Sequence, residues 1–506
     1  MLASLLALDL LIHFPGRPGE ISLCTMQDEY QYFIALVASI ALGWAIPRLP
    51  AGPPRQWMCS GMGLFLLVTF CGPQTLHPLI TIFGNAAIII SVRNCHTWST
   101  IFTFGYLAFF RSVTYFGLKE TNEFCNAVQL ILTLKTIGVA FEVHDTQLRR
   151  RGIAPFPSNS ASFSCMKPFM DVAPSFMDIV NYCLCYIGMM TGPYFKFKTY
   201  NDMIRSHALH VMPRITMTKQ RLRMVPVYMA CFFILSSLFS YSMLWDDKFY
   251  EETTFLYRCF YMVALFVIFR MKLYVAWLMA ESSCIMAGLG LYPAVSKPKP
   301  GYGPTEPEKL PETVDRSTEF SYETIYNIDE YEVEFVPTVR AAMKSWNMTV
   351  QYWLAWHVYR RVPYKSIRTA VVMFVSAYWH GLHGGYYVGL LTVPLMLAAE
   401  DWVPRDAPRW AKAINWFLRM RAFEYMVVGF ICLTYDRTIR YWSSIYYVGH
   451  VLAIGFLVFG HVYRHFLRPK RRQDEMDATT SGAADQQLRH SDTNGNLTNP
   501  GKLHTQ

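Results

Sequence analysis

Between residues 30 and 466 the chain is a near-continuous succession of apolar runs, broken by short polar joints. No other feature restricts the fold as much. One apolar helix can hide in a soluble core, but a long series of them needs a bilayer as solvent. The charge content agrees: 16% of residues are charged, against about 25% in a typical soluble domain. The runs fall at about 30–47, 56–72, 76–92, 97–118, 124–143, 174–192, 224–245, 254–279, 280–293, 346–360, 366–382, 385–400, 423–437 and 440–466. Of these, about ten to twelve are expected to cross the membrane, since a span needs roughly 20 residues at 1.5 Å rise each. The expected fold is all-α, a polytopic integral membrane protein. The run NAVQLILTLKTIGVAFEV carries Lys135 in its middle and reads as re-entrant or interfacial.

The hydrophilic stretches divide the chain. Residues 1–25 hold an apolar run too short to span and without the basic start of a signal peptide; they read as an extension of uncertain role, with Met26 a possible second start. Residues 26–468 form the main domain. Residues 145–173 and 295–340 read as loops, the second rich in proline. Residues 469–506 have almost no apolar content and are expected to be disordered. Arg464, Arg468, Lys470, Arg471 and Arg472 follow the last run and favour a cytosolic carboxyl terminus. The net charge of +10 fits either the ordinary basic bias of cytosolic loops or contact with anionic lipids and phosphates. The twelve cysteines are scattered, without a Cys-x-x-Cys pair, and read as free thiols.

The stretch from Lys344 to Leu390 carries the chemistry. Asn347 opens one apolar segment and His380 closes another, 33 residues on. Polar groups at membrane depth are costly unless they serve a partner or a cavity. Asn347 and Gln351, four apart, would share a helical face; they read either as a helix–helix hydrogen bond or as part of a site. Asn347-Met348-Thr349 matches a glycosylation pattern, but beside a span it is a poor acceptor. His380 and His383 lack a third ligand at metal spacing. A buried imidazole, neutral through desolvation, suits a general base. Gly381, Gly384 and Gly385 allow close backbone approach. A base and an amide without a nucleophile suit direct transfer of an acyl group to a hydroxyl, the amide orienting the hydroxyl or donating to the oxyanion.

Other polar residues lie inside apolar runs: Arg111, Lys135, Arg270, Lys272 and Glu281. They read as buried charge pairs or as a polar chamber for phosphate. Gly192-Pro193 should stop a helix, leaving Lys196 and Lys198 as a solvated basic edge or a phosphate contact.

The pair in Trp346-Asn347-Met348-Thr349 and Ser376-Ala377-Tyr378-Trp379-His380-Gly381 resembles the signature of the membrane-bound O-acyltransferase family. The pieces CGPQTLHPLITI, NAVQLILTLK, YIGMMTGPYFKFKTY, RMKLYVAW and YETIYNID extend the resemblance to the branch that acylates inositol lysophospholipids. The resemblance covers residues from about Met26 to Arg468. It implies helices around an internal tunnel, an endoplasmic-reticulum membrane and His380 and Asn347 as catalytic residues. It implies acyl-CoA as a substrate, with a polyunsaturated, arachidonoyl-type chain, and transfer to the sn-2 hydroxyl of lysophosphatidylinositol, with no cofactor. Members of this branch often carry proline after the second histidine, where this chain has Gly384. Candidate contacts to the substrates are Gln351, His383, Lys344, Arg360, Arg361 and Lys365. Two other readings stay open: a different hydroxyl acceptor, on a sterol or a protein, or a transporter, which would show two half-chain repeats. No such repeat is visible.

Overall fold

The computed structural model describes residues 23–153, 172–402 and 408–462. The expectations for the amino-terminal extension, most of the 145–173 loop, the basic cluster after the last run and the carboxyl-terminal tail lie outside these residues. The described chain is built from α1 (Leu23–Gly43), α2 (Pro53–Cys71), α3 (Leu76–Ser91), α4 (Cys95–Arg111), α5 (Glu123–Arg150), α6 (Phe176–Leu184), α7 (Phe197–Arg205), α8 (Arg214–Leu222), α9 (Val225–Leu238), α10 (Asp247–Glu252) and α11 (Phe255–Ala287). It continues with α12 (Glu330–Phe335), α13 (Val339–Lys344), α14 (Met348–His357), α15 (Arg368–His380), α16 (Gly384–Leu391), α17 (Val393–Glu400), α18 (Arg409–Cys432), α19 (Tyr435–Ser444) and α20 (Val448–Val462).

Helix α5 is the axis of the fold. Its apolar run is not re-entrant: it is one continuous 28-residue helix, buried in protein along nearly all of its apolar length. Asn122 starts it by accepting the Cys125 N–H, 2.7 Å away. Because protein surrounds it on all sides, its polar side chains meet partners instead of lipid. The Lys135 ammonium, fully buried, lies 4.6 Å from the Phe195 ring centroid and 3.4 Å from the Tyr182 carbonyl oxygen. Helices α2, α3, α4, α6 and α7 pack about α5, while α1, α8 and α9 pack on α11 and α16 packs on α18.

Five helical stretches, or six if the bent pair α19–α20 counts as one, are long and apolar enough to cross a membrane, among the described residues. The remaining expected spans are shorter or broken. The runs at 254–279 and 280–293 are largely one element: α11 is a single helix of 33 residues. The run at 385–400 splits into two helices of 8 residues, with proline in the first turn of the second. The run at 174–192 is helical only to Leu184; Gly188 and Gly192 then adopt positive φ and the buried chain is irregular to Lys196. Irregular backbone at such depth is tolerated where protein encloses it.

The all-α expectation needs a small correction. The proline-rich segment forms two short antiparallel pairs, Tyr292–Pro293 with Phe320–Ser321 and Pro298–Lys299 with Gly303–Pro304. The cysteines of the core, among them Cys59, Cys183, Cys185 and Cys432, are free thiols.

Of the charges inside apolar runs, Glu281 and Arg270 form ion pairs, while Lys135 and Arg111 meet carbonyls. Glu281 accepts from Arg221 Nε at 2.6 Å, and Arg270 Nε reaches Glu334 at 2.8 Å. Both arginines come to their acids from distant parts of the sequence. Glu281 Oε1 also accepts the backbone N–H groups of Asn327 and Ile328, at 3.0 and 3.2 Å. It is therefore a clamp on the chain just ahead of α12, and that chain runs beside Asn347.

Candidate active site

Asn347 is fully buried and lies just outside α14, in left-handed conformation with φ 48° and ψ 51°. Asparagine and glycine adopt this region at the lowest cost. The bend is held from both sides. Trp346 bridges to Ile328, and the Met348 N–H donates to the Asn327 carbonyl at 2.8 Å. Thr349 Oγ1 donates to Asn327 Oδ1 at 2.6 Å and accepts the Tyr194 N–H at 3.0 Å. Since Asn327 and Ile328 hang on Glu281, the Arg221–Glu281 pair is the far anchor of the Asn347 bend. Asn347 and Gln351 do not share a helical face, because the helix begins one residue too late. The Gln351 side-chain amide instead donates to the carbonyls of Met343 and Trp346 and ties the α13–α14 joint.

His380 is the last residue of α15 and is 2% exposed. Its imidazole sits among the rings of Trp379, Tyr386 and Phe430, at centroid distances of 5.0, 5.5 and 5.5 Å. Its Nε2 is buried with no hydrogen-bond partner among the described residues. Buried polar atoms are rarely left so. One turn earlier, on the same face, the Ser376 hydroxyl is buried and equally unpartnered among these residues.

Helices α14, which follows Asn347, and α15, which ends in His380, touch each other, and each bonds to α5 through a tryptophan. Trp353 Nε1 donates to the Leu134 carbonyl at 3.0 Å, and Trp379 Nε1 to the Leu130 carbonyl at 3.1 Å. Those acceptors are one helical turn apart, so both helices are registered on one support. The Tyr378 hydroxyl binds the Phe104 carbonyl at 3.0 Å. Arg111 reaches the same helix end: Nη1 donates to the Tyr378 carbonyl at 2.8 Å, and Nη2 to those of Trp379 and His380 at 2.6 and 2.8 Å.

Glycine gives the next element its place. A Cβ at Gly385 would collide with the carbonyl oxygens of Gly429 and Leu433, and one at Gly381 with the Tyr386 ring. Small residues let α16 and α18 approach backbone to backbone. Gly385→Ala is expected to lower stability by about 1–3 kcal/mol through overpacking, read as a lower melting temperature in detergent; an unchanged melting temperature would show that the two helices can part without loss.

The remaining candidates do not gather at one point. His383 precedes α16 and is exposed. Lys344 ends α13 and is exposed, on the other side of α14 from Arg360, Arg361 and Lys365, with about 15 Å of helix between. Arg361 is committed to Asp145 at 2.9 Å and lies 4.2 Å from the Phe141 ring centroid. Arg360 stacks on Trp356 at 4.2 Å, and Lys365 is exposed. Lys196, read as a solvated basic edge or a phosphate contact, is not at a solvated edge: it is buried 4.6 Å from the Tyr302 centroid. Burial pulls its ammonium down to about 8, opposed chiefly by the Glu142 carboxylate. Lys198 pairs with Asp202.

Sequence reasoning missed the contacts of Asn327 and Arg111 and the buried hydroxyl of Ser376. Only Ser376 left a local signal, its spacing of four from His380.

Known proteins resemble this arrangement in sequence. A profile of the MBOAT, membrane-bound O-acyltransferase family, matches residues 93–435, a span that includes Arg111, Asn347 and His380. The curated membrane-bound acylglycerophosphatidylinositol O-acyltransferase MBOAT7 of Bos taurus is 41% identical over 445 residues, covering 84% of this chain and 92% of its own. The Mus musculus protein of the same name is 40% identical over 474 residues, covering 90% and 98%. The Drosophila melanogaster membrane-bound acylglycerophosphatidylinositol O-acyltransferase frj is 31% identical over 458 residues, covering 85% and 92%.

Proposed function

The chain belongs to the membrane-bound O-acyltransferase family, and from that premise we propose that it acylates lysophosphatidylinositol at its free sn-2 hydroxyl, with a polyunsaturated acyl-CoA as donor. The similarity to acylglycerophosphatidylinositol O-acyltransferases over most of the chain supports the acceptor. The observation that carries the chemistry is the buried Nε2 of His380, which has no partner among the described residues.

In the proposed reaction His380 Nε2 accepts the proton of the acceptor hydroxyl. The oxygen attacks the thioester carbonyl carbon, and the charge moves to the carbonyl oxygen. Asn347 orients the hydroxyl or donates to that oxyanion. The tetrahedral species collapses, the C–S bond breaks, and the leaving thiolate takes the proton back from the imidazolium. The products are phosphatidylinositol and free CoA, with no acyl-enzyme. The aromatic wall around the imidazole disfavours its charged form and keeps it ready to accept a proton. In this reading residues 26–468 are the acyltransferase domain, an internal tunnel brings the substrates to His380, and the protein is a multi-pass protein of the endoplasmic reticulum with its carboxyl terminus in the cytosol.

Purified protein tests the reading. With arachidonoyl-CoA and lysophosphatidylinositol it should release free CoA thiol. Release should fall when lysophosphatidylcholine or lysophosphatidylserine replaces the acceptor, or palmitoyl-CoA the donor. No release with any lysophospholipid, together with acylation of a sterol or a peptide, would overturn the assignment of the acceptor.

A further inference from the structure

The end of α15 raises an accounting question. A helix leaves its last carbonyls without intrahelical partners, and in a buried site each must be satisfied elsewhere. Here the Gly381 N–H returns to the Ala377 carbonyl at 3.1 Å. The next three carbonyls, those of Tyr378, Trp379 and His380, all accept from one guanidinium, that of Arg111. Arg111 is itself the last residue of α4, 269 positions from His380 in sequence. A planar, permanently charged fork suits this task, and a cation at a helix carboxyl end is favoured by the helix dipole.

From this geometry we infer that Arg111 is the positioning residue of the active site: it holds the last turn of α15 so that the His380 ring keeps one orientation. The inference rests on the proposed role of His380. Arg111 bonds the backbone that carries the ring, not the ring itself. Trp379 and Tyr378 pin the same turn through their side chains, and among the described residues Arg111 is the side chain that fixes its carbonyl end. Loss of the fork lets the last peptide groups turn toward other donors, and the imidazole turns with them. Proton transfer depends on that placement, because a misplacement of about 1 Å can cost about 10²-fold.

The test is steady-state kinetics of Arg111→Met, Arg111→Lys, His380→Ala and the double variant Arg111→Met/His380→Ala, purified in detergent with melting temperatures recorded. Arg111→Met should lower kcat about 10²-fold and leave KM for acyl-CoA and for lysophosphatidylinositol within about twofold. Arg111→Lys, a point charge that cannot span three carbonyls, should recover part of the loss. In the His380→Ala background, Arg111→Met should cost nothing further, because its effect runs through the ring. A folded Arg111→Met protein with the kcat of the parent would overturn the inference, as would a rise in KM at constant kcat or full additivity with His380→Ala. If Arg111→Met cannot be recovered folded, Arg111→Lys decides: a lower kcat at unchanged KM supports the inference, and parental kcat overturns it. Should His380→Ala retain parental turnover, the role of His380 itself falls, a result distinct from any of these.

Discussion

Replacing His380 by alanine should lower acyl transfer about 10²–10⁴-fold, the usual contribution of a general base, or about 3–5 kcal/mol in the barrier. The expectation follows from the environment of the ring. Phe430, Tyr386 and Trp379 enclose it, and its Nε2 makes no bond to the described protein. A histidine kept only for structure would spend that nitrogen on a neighbour. The variant should still fold, because Nε2 makes no hydrogen bond to the described residues that the substitution would break. Both KM values should hold. Release of CoA with lysophosphatidylinositol, normalised to folded protein, reads the effect; turnover within tenfold of the parent would remove the base from the mechanism.

The second large effect is expected at Asn347, where two substitutions separate two explanations. The left-handed backbone there suits asparagine and glycine and penalises alanine by roughly 1–2 kcal/mol. Asn347→Gly keeps the bend and removes the amide; Asn347→Ala removes the amide and strains the bend. If the amide serves the oxyanion or the hydroxyl, both variants should lose about 10²–10³-fold in kcat, the measured range for oxyanion donors. Only the alanine variant should also melt earlier. If Asn347→Gly keeps parental kcat, asparagine stands there for its backbone alone, and the oxyanion contact must come from another group.

Much of this was legible in the residues. Apolar content gave the helical membrane class, and Asn347 and His380, each in an otherwise apolar segment, marked the candidate site. What escaped was governed by long-range contact. The midpoint Lys135 suggested a re-entrant segment, yet α5 is buried in protein and the ammonium meets rings and carbonyls there. Glu281 offered no nearby cation along the chain, because its partner Arg221 lies 60 residues away. The helical spacing of Asn347 and Gln351 assumed a helix that starts earlier than it does. Helix starts depend on the local bend, and this one is set by Asn327 and Glu281 from outside. Arg111 looked like any charge in an apolar run, since nothing local tells that it ends on the carbonyls of another helix.

The central claim is that the acceptor hydroxyl meets the imidazole of His380. It is tested most directly by an experimental map of the protein with lysophosphatidylinositol and a thioether analogue of arachidonoyl-CoA, which cannot transfer its chain. The sn-2 oxygen should lie about 2.6–3.2 Å from Nε2, with the analogue carbon next to the thioether sulfur within van der Waals reach of that oxygen. A map with both ligands bound and the hydroxyl held by some other side chain, away from Nε2, would contradict the account.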